Sequence, residues 1–194
     1  MTTDTSGAND FYDYLKYQTF DSGELIVPQS NSYWLLEQGI VKISTWTEEG
    51  TPITLGYWSK NDLIGQPLSS IHPYQIKCLT QVIAKTVPLA RAGKFTRQIQ
   101  SQVQQSEEIL CILRAEKAYQ RLSQILIWLS CKFGQNVDTG RLIQLRLTHQ
   151  DLAELIATTR VTITKTINQL EQEGFLSRPQ RNSIVIHRYT SGRN

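Results

Sequence analysis

The 194-residue chain has few of the residue types from which metal and catalytic centres are assembled. Its three cysteines, Cys78, Cys111 and Cys131, include no Cys-x-x-Cys spacing, which argues against a disulfide framework or a thiolate cluster. They are expected as buried apolar side chains in a reduced, cytoplasmic protein. The three histidines, His72, His149 and His187, lie far apart, so neither metal nor cofactor is expected. His72, beside Pro73, reads as a surface-loop residue rather than a haem ligand. No nucleophile–base pair, phosphate loop or carboxylate pair stands at a usable spacing, so no enzyme is expected. The longest apolar run, residues 125–129, is far too short to span a bilayer. Residues 1–10 are polar and acidic without an apolar core, which fits a disordered tail and neither a signal peptide nor an anchor.

What is present is unevenly distributed. The net charge is +3, but residues 1–93 carry −3, residues 94–140 carry +2 and residues 141–194 carry +4. An acidic front half and a basic last third suggest that one end meets a polyanion. From residue 20 to residue 89, short apolar or β-branched runs alternate with turn residues at regular intervals. The runs cover residues 25–27, 33–36, 40–43, 53–58, 76–79 and 81–84, and such spacing predicts a β-sandwich or roll over residues 11–93. Between Lys94 and Phe133 there is neither Gly nor Pro, and the period becomes helical. Ile99, Val103, Ser106, Leu110, Leu113 and Lys117 alternate by four and three, a heptad seam over residues 94–117. This seam either packs on its own β-domain or pairs with the same helix of a second copy. The second option is favoured because nothing else shields so long an amphipathic rod. A bend or break is expected near residues 114–119. A second stripe, Leu122, Ile125, Leu126 and Leu129, predicts a shorter helix on a core. Residues 134–140 read as a turn-rich loop and residues 141–147 as a strand.

The most informative stretch begins at Leu147-Thr-His-Gln-Asp-Leu-Ala-Glu-Leu-Ile156. Thr148, with Asp151 three residues on, is a capping pattern, and Leu152, Leu155 and Ile156 give the helix one apolar face. Residues 157–159 form a tight connection, with Thr159 a good cap for a second helix. Ile163, Ile167 and Leu170 form that helix's inward face, and Gly174 sits where it should end. Two short helices on a three-residue turn are a helix-turn-helix, whose second helix enters a major groove. Its outward face offers base readers: Arg160 and Lys165 for guanine O6 and N7, and Val161 for a thymine methyl. Thr148, Gln150, Thr158, Thr159 and Thr162 are candidates for phosphate oxygens. Residues 175–187 read as strand, basic turn and strand, a wing bringing Arg178 and Arg181 to the backbone. A different class of reading stays open, a dimeric adaptor whose winged helix docks a protein partner.

These two motifs, Leu147 to Ile156 and Thr159-Arg-Val-Thr-Ile-Thr-Lys165, resemble the DNA-binding signature of the CRP/FNR family of bacterial transcription factors. The second is similar to that of the cyanobacterial nitrogen regulators within it. In the front half, Phe20-Asp-Ser-Gly-Glu24, Tyr33-Trp-Leu-Leu-Glu-Gln-Gly-Ile-Val-Lys-Ile43 and Asp62-Leu-Ile-Gly65 resemble the family's β-roll landmarks. The resemblance implies an α+β fold: a cyclic-nucleotide-binding-like β-roll, a long dimerisation helix, and a winged helix-turn-helix over residues 118–190. It further implies a cytoplasmic homodimer on near-palindromic double-stranded DNA, with RNA polymerase as a partner. The chain departs from the cyclic-AMP-binding members. Gln66 stands where their ribose-reading acid would be, and no arginine occurs between Ser69 and Thr86, where Lys77 is the only cation. A lysine is a point charge, not the bidentate fork that grips a cyclic phosphate. Any effector pocket around Gln66 and Lys77 is therefore not expected to use cyclic AMP. Ala157 replaces a glycine common at the family's turn.

Overall fold

The computed structural model describes residues 17–187, and the expected tail at residues 1–10 lies outside them. The chain divides into two compact units, Met1–Gln105 and Ser106–Asn194.

The first unit opens with eight strands: β1 (Tyr17–Phe20), β2 (Leu25–Ile26), β3 (Ser32–Gln38), β4 (Val41–Trp46), β5 (Pro52–Trp58), β6 (Leu63–Ile64), β7 (Gln75–Cys78) and β8 (Val82–Pro88). They form two antiparallel sheets of order β1-β8-β3-β6 and β2-β7-β4-β5. Trp34, Leu36, Val41, Ile43, Trp58, Ile64, Ile76, Cys78, Val82 and Ala84 build the core they share. Strand β3 is buried on both faces. Trp34 and Leu36 belong to the shared core, whereas Tyr33 and Leu35 join Leu63, Val87 and Phe95 in a second cluster. This double burial explains an apolar run at residues 33–36 where a half-exposed strand would alternate. Lys85, nearly buried on β8, pairs with Glu37 at 2.9 Å and lies over the Tyr17 ring.

Residues 89–95 form a 3-10 turn that feeds helix α1 (Thr96–Leu113). Helix α2 (Ala118–Phe133) follows after the expected break. Arg121 braces the break by donating to the carbonyls of Ala115 and Glu116. Two seam residues are corrected by this geometry. Lys117 has extended backbone and caps α2, so it lies outside the seam helix. Ile99 packs on the second cluster of its own β-domain. The face of α1 that is buried within the chain carries Gln105 and Ile109, with Gln105 Nε2 donating to Tyr57 O at 3.1 Å. Beside it, Val103 and Leu110 are 53% and 54% exposed, Ser106 is exposed and Leu113 half-buried.

In the second unit α2 buries Leu122, Ile125, Leu126 and Leu129 completely. Strands β9 (Gly134–Val137) and β10 (Gly140–Ile143) precede helices α3 (His149–Leu155) and α4 (Arg160–Gln172), and β11 (Leu176–Ser177) and β12 (Ile184–His187) close the fold. The four strands form one sheet of order β11-β12-β10-β9. Residues 134–137, expected as loop, are thus a strand in a hairpin with β10. The glycines that suggested a turn serve close packing: a Cβ on Gly140 would sit 2.0 Å from Ile186 O.

The thiols correct another expectation. Cys78 is buried, and that burial pushes its thiol up to about 11, but Cys111 and Cys131 are exposed. Among the described residues no group of three or more His, Cys, Asp or Glu could hold a metal, and no helix is long and apolar enough to cross a membrane.

The turn between α3 and α4 is a Schellman-type ending, in which Thr158 N donates to Ala153 O and Ala157 has φ +52°. A β-carbon is strained there and glycine is not. Ala157→Gly is therefore expected to raise unfolding free energy by up to about 1 kcal/mol, read from the urea midpoint at unchanged slope. A lowered midpoint would contradict the strain.

Candidate nucleic-acid interface

Helix α3 starts with a complete capping box. Thr148 Oγ1 accepts from Asp151 N at 3.1 Å, and Asp151 Oδ2 accepts from Thr148 N at 3.0 Å. Thr148 Oγ1 also donates to Asp151 Oδ2 at 2.6 Å. Its only hydroxyl proton is thereby used, so Thr148 is a cap and not the phosphate donor expected from sequence. Helix α4 starts on Thr159, whose Oγ1 accepts from Thr162 N at 3.1 Å and lies 2.9 Å from Thr162 Oγ1. It ends as expected at Gly174, with φ +72°, where Gly174 N bonds Glu171 O and Phe175 N bonds Leu170 O.

These caps fix the rotation of α4. Ile163, Ile167 and Leu170 are buried, and Thr166 fills in between them. At about 100° per residue the opposite stripe runs through Val161 and Lys165. Val161 is 64% exposed, a position that burial does not explain, and Lys165 is exposed beside it. Arg160, also exposed, lies a quarter-turn away and lines a groove of about 690 Å³. The three expected base readers are thus all solvent-facing at the capped end of α4. Gln150 and Arg181 line the same groove, as do Gln180 and Asn182 of the turn at residues 178–183. Gln150 Nε2 donates to Glu154 at 3.1 Å, and Thr158 is half-buried outside that lining.

Arg178 is placed differently from expectation. Its Nε and Nη2 donate to Glu171, and Nη2 also reaches Asn168 Oδ1 at 2.9 Å. The Arg178 hydrogen bond holds the Glu171 carboxyl below its ordinary range. Arg178 therefore latches the wing turn to α4 through Nε and Nη2, and a phosphate that reaches the guanidinium shares its charge with Glu171.

Sequence reasoning missed His149. It lies on the groove wall, and its Nδ1 is 2.8 Å from Thr164 Oγ1 on α4. Burial, then the positive charges of Arg178 and Arg160, hold its imidazole below the ordinary 6.5. The signal was available: His149 is spaced three and seven from Leu152 and Ile156, on the face that meets α4. In the β-roll, Gln66 and Lys77 do not build the expected recess. Gln66 donates to Ser69 O and Ile71 O in its own loop, while Lys77 is exposed between the inward-facing Ile76 and Cys78.

Residues 120–190, which contain this whole arrangement, match the Crp-like helix-turn-helix domain. The chain is 39% identical over 161 residues to the regulatory protein CysR of Synechococcus elongatus, covering 80% of this chain and 77% of that protein. It is 27% identical over 190 residues to the global nitrogen regulator of Synechocystis, covering 88% and 84%. A CRP-family transcriptional regulator of Thermus thermophilus shares the fold, with TM-score 0.74 and 17% identity over 88% of this chain and 91% of that one. By its relatedness to CysR over four-fifths of its length, and by its Crp-like helix-turn-helix domain, the chain belongs to the CRP/FNR family, and it is a DNA-binding transcription regulator, not an enzyme.

Proposed function

We propose that the chain acts in the cytoplasm as a homodimer that reads a near-palindromic operator through paired copies of α4. The observation that carries this reading is the solvent-facing set Arg160, Val161 and Lys165 at the capped start of α4, beside a groove walled by Arg160 and Arg181. Arg160 and Lys165 are donors suited to guanine, and Val161 offers an apolar surface to a thymine methyl. Gln150, Thr158, Thr159, Thr162 and Arg181 supply polar groups for the backbone on either side. Dimerisation is supported by the exposed stripe Val103, Ser106 and Leu110 on α1, which the protein's own core leaves uncovered. RNA polymerase is the protein partner that such a dimer meets at a promoter. Cyclic AMP is not part of the proposal, because Gln66 is bonded within its own loop and Lys77, exposed on β7, is a point charge rather than a bidentate fork. An effector of another chemical class, or none, is proposed instead.

Selection of binding sites from random DNA tests the reading. Enriched sequences are expected to hold two half-sites about 10 bp apart centre to centre. Recovery of no motif would contradict it. Arg160→Ala is expected to cost about 1–3 kcal/mol on the selected operator and to relax preference at one base pair. Equal loss on cognate and scrambled DNA would remove the base-reading role. Arg181→Ala is expected to weaken all sequences alike and to lower the salt slope by about one. Glu171→Gln deletes a negative charge and weakens the hold on Arg178. It is expected to tighten non-specific binding and steepen its salt dependence, measured by fluorescence anisotropy.

A further inference from the structure

His149 is the groove residue whose charge changes near neutral pH. Its ring is held in one tautomer. Thr164 Oγ1 donates its single proton to Arg160 O at 2.9 Å, so the 2.8 Å contact must be His149 Nδ1–H donating to Thr164 Oγ1. In the neutral ring the lone pair is therefore on Nε2. Adding a proton at Nε2 breaks no bond in the protein, because Nδ1–H remains a donor in both states.

The groups around it favour the neutral ring in the free protein. Arg160 faces the groove from α4, and Arg178 and Arg181 face it from the wing turn. Glu171, also on α4, is the carboxylate on that wall, and it is bound to Arg178. On α3 itself Asp151 is committed to the capping box, and Glu154 accepts from Gln150. Partial burial and this excess of positive charge depress the proton affinity of His149. A phosphodiester entering the groove supplies the missing negative charge and an acceptor oxygen. By linkage, a ligand that strengthens proton binding is itself bound more tightly when the proton is present.

We propose that His149 is a phosphate ligand of the bound operator that takes up a proton at Nε2 as the DNA backbone enters the groove. It rests on the reading of the Arg160 side of α4 as the DNA-facing side. Operator affinity therefore rises as the pH falls, once for each copy of the chain on the DNA. The free protein has the opposite sign. Its folded ring binds a proton less well than the unfolded chain does, so stability is full above about pH 6.5 and declines as the pH falls through that value.

The test uses the full chain, the operator recovered from random DNA, and the variant His149→Asn. Asparagine keeps an N–H donor for Thr164 but cannot titrate. Dissociation constants are measured at fixed ionic strength between about pH 5.5 and 8. The wild type is expected to gain up to about tenfold in affinity per pH unit for each proton taken up. The affinity of His149→Asn is expected to stay flat across the same range. The same slope in both proteins, or a flat wild type, overturns the proposal. An independent readout needs no variant: on adding operator at pH 6 the nitrogen resonance of His149 Nε2 should move to the imidazolium position. A lone-pair nitrogen in the complex overturns the proposal while leaving DNA recognition intact. Absence of any sequence-selective binding overturns both.

Discussion

The turn between α3 and α4 is the constraint on which the proposed DNA-facing surface depends. Three residues must reverse the chain and start a new helix at a fixed rotation. Ala157 does the first by adopting a left-handed conformation, and Thr159 does the second by capping Thr162 N. From there Ile163, Ile167 and Leu170 seat α4 on a core that Leu152, Leu155 and Ile156 also enter. A register error of one residue in α4 would rotate its face by about 100°. Val161 would turn from solvent toward the core, and Arg160 would leave the groove. The inward isoleucines and the outward arginine and lysine are two consequences of one cap.

Electrostatics refine that surface. The basic last third concentrates guanidinium groups beside α4, but they are not equivalent. Arg160, Arg178 and Arg181 all line the groove, but Arg178 is also engaged by Glu171 and Asn168 and holds the wing turn in place. At the same C-terminal end of α4, Tyr119 donates to Glu173 at 2.5 Å, tying α4 to the start of α2. The C-terminal end of the proposed reading helix is therefore anchored by two polar contacts within the unit. The arginine that serves as the wing's strut also contributes to the positive charge that disfavours protonation of His149.

Much of this was legible in residue order, where a signal depends on near neighbours. Caps, helix endings and the apolar faces of α3 and α4 are local and were readable from Thr148, Asp151, Thr159 and Gly174. The β-roll was readable from its turns, although β1 and the two-residue β6 leave too short a pattern to be seen. Features set by distant partners were misread. Gly134 and Gly140 look like turn residues, yet Gly140 is required because β12 approaches it closely. Ile99 fits the heptad seam in spacing but is captured by Phe95 and Leu35 of its own domain. Arg178 looks like a phosphate ligand until Glu171, seven residues earlier, is seen to reach it. Lys77 alternates onto the outer face of β7, which the strand period itself implied. His149 lies within the first helix motif, but its place on the groove depends on Thr164, fifteen residues on, and on the wing turn.

Methylation interference at guanine N7 tests most directly the claim that twin copies of α4 read one face of the DNA. With the wild-type protein, methylation of one guanine in each of two half-sites, about one helical turn apart, should abolish binding. The same two positions should become indifferent with Arg160→Ala. Interference at a single site, or an unchanged pattern with the variant, would contradict the account.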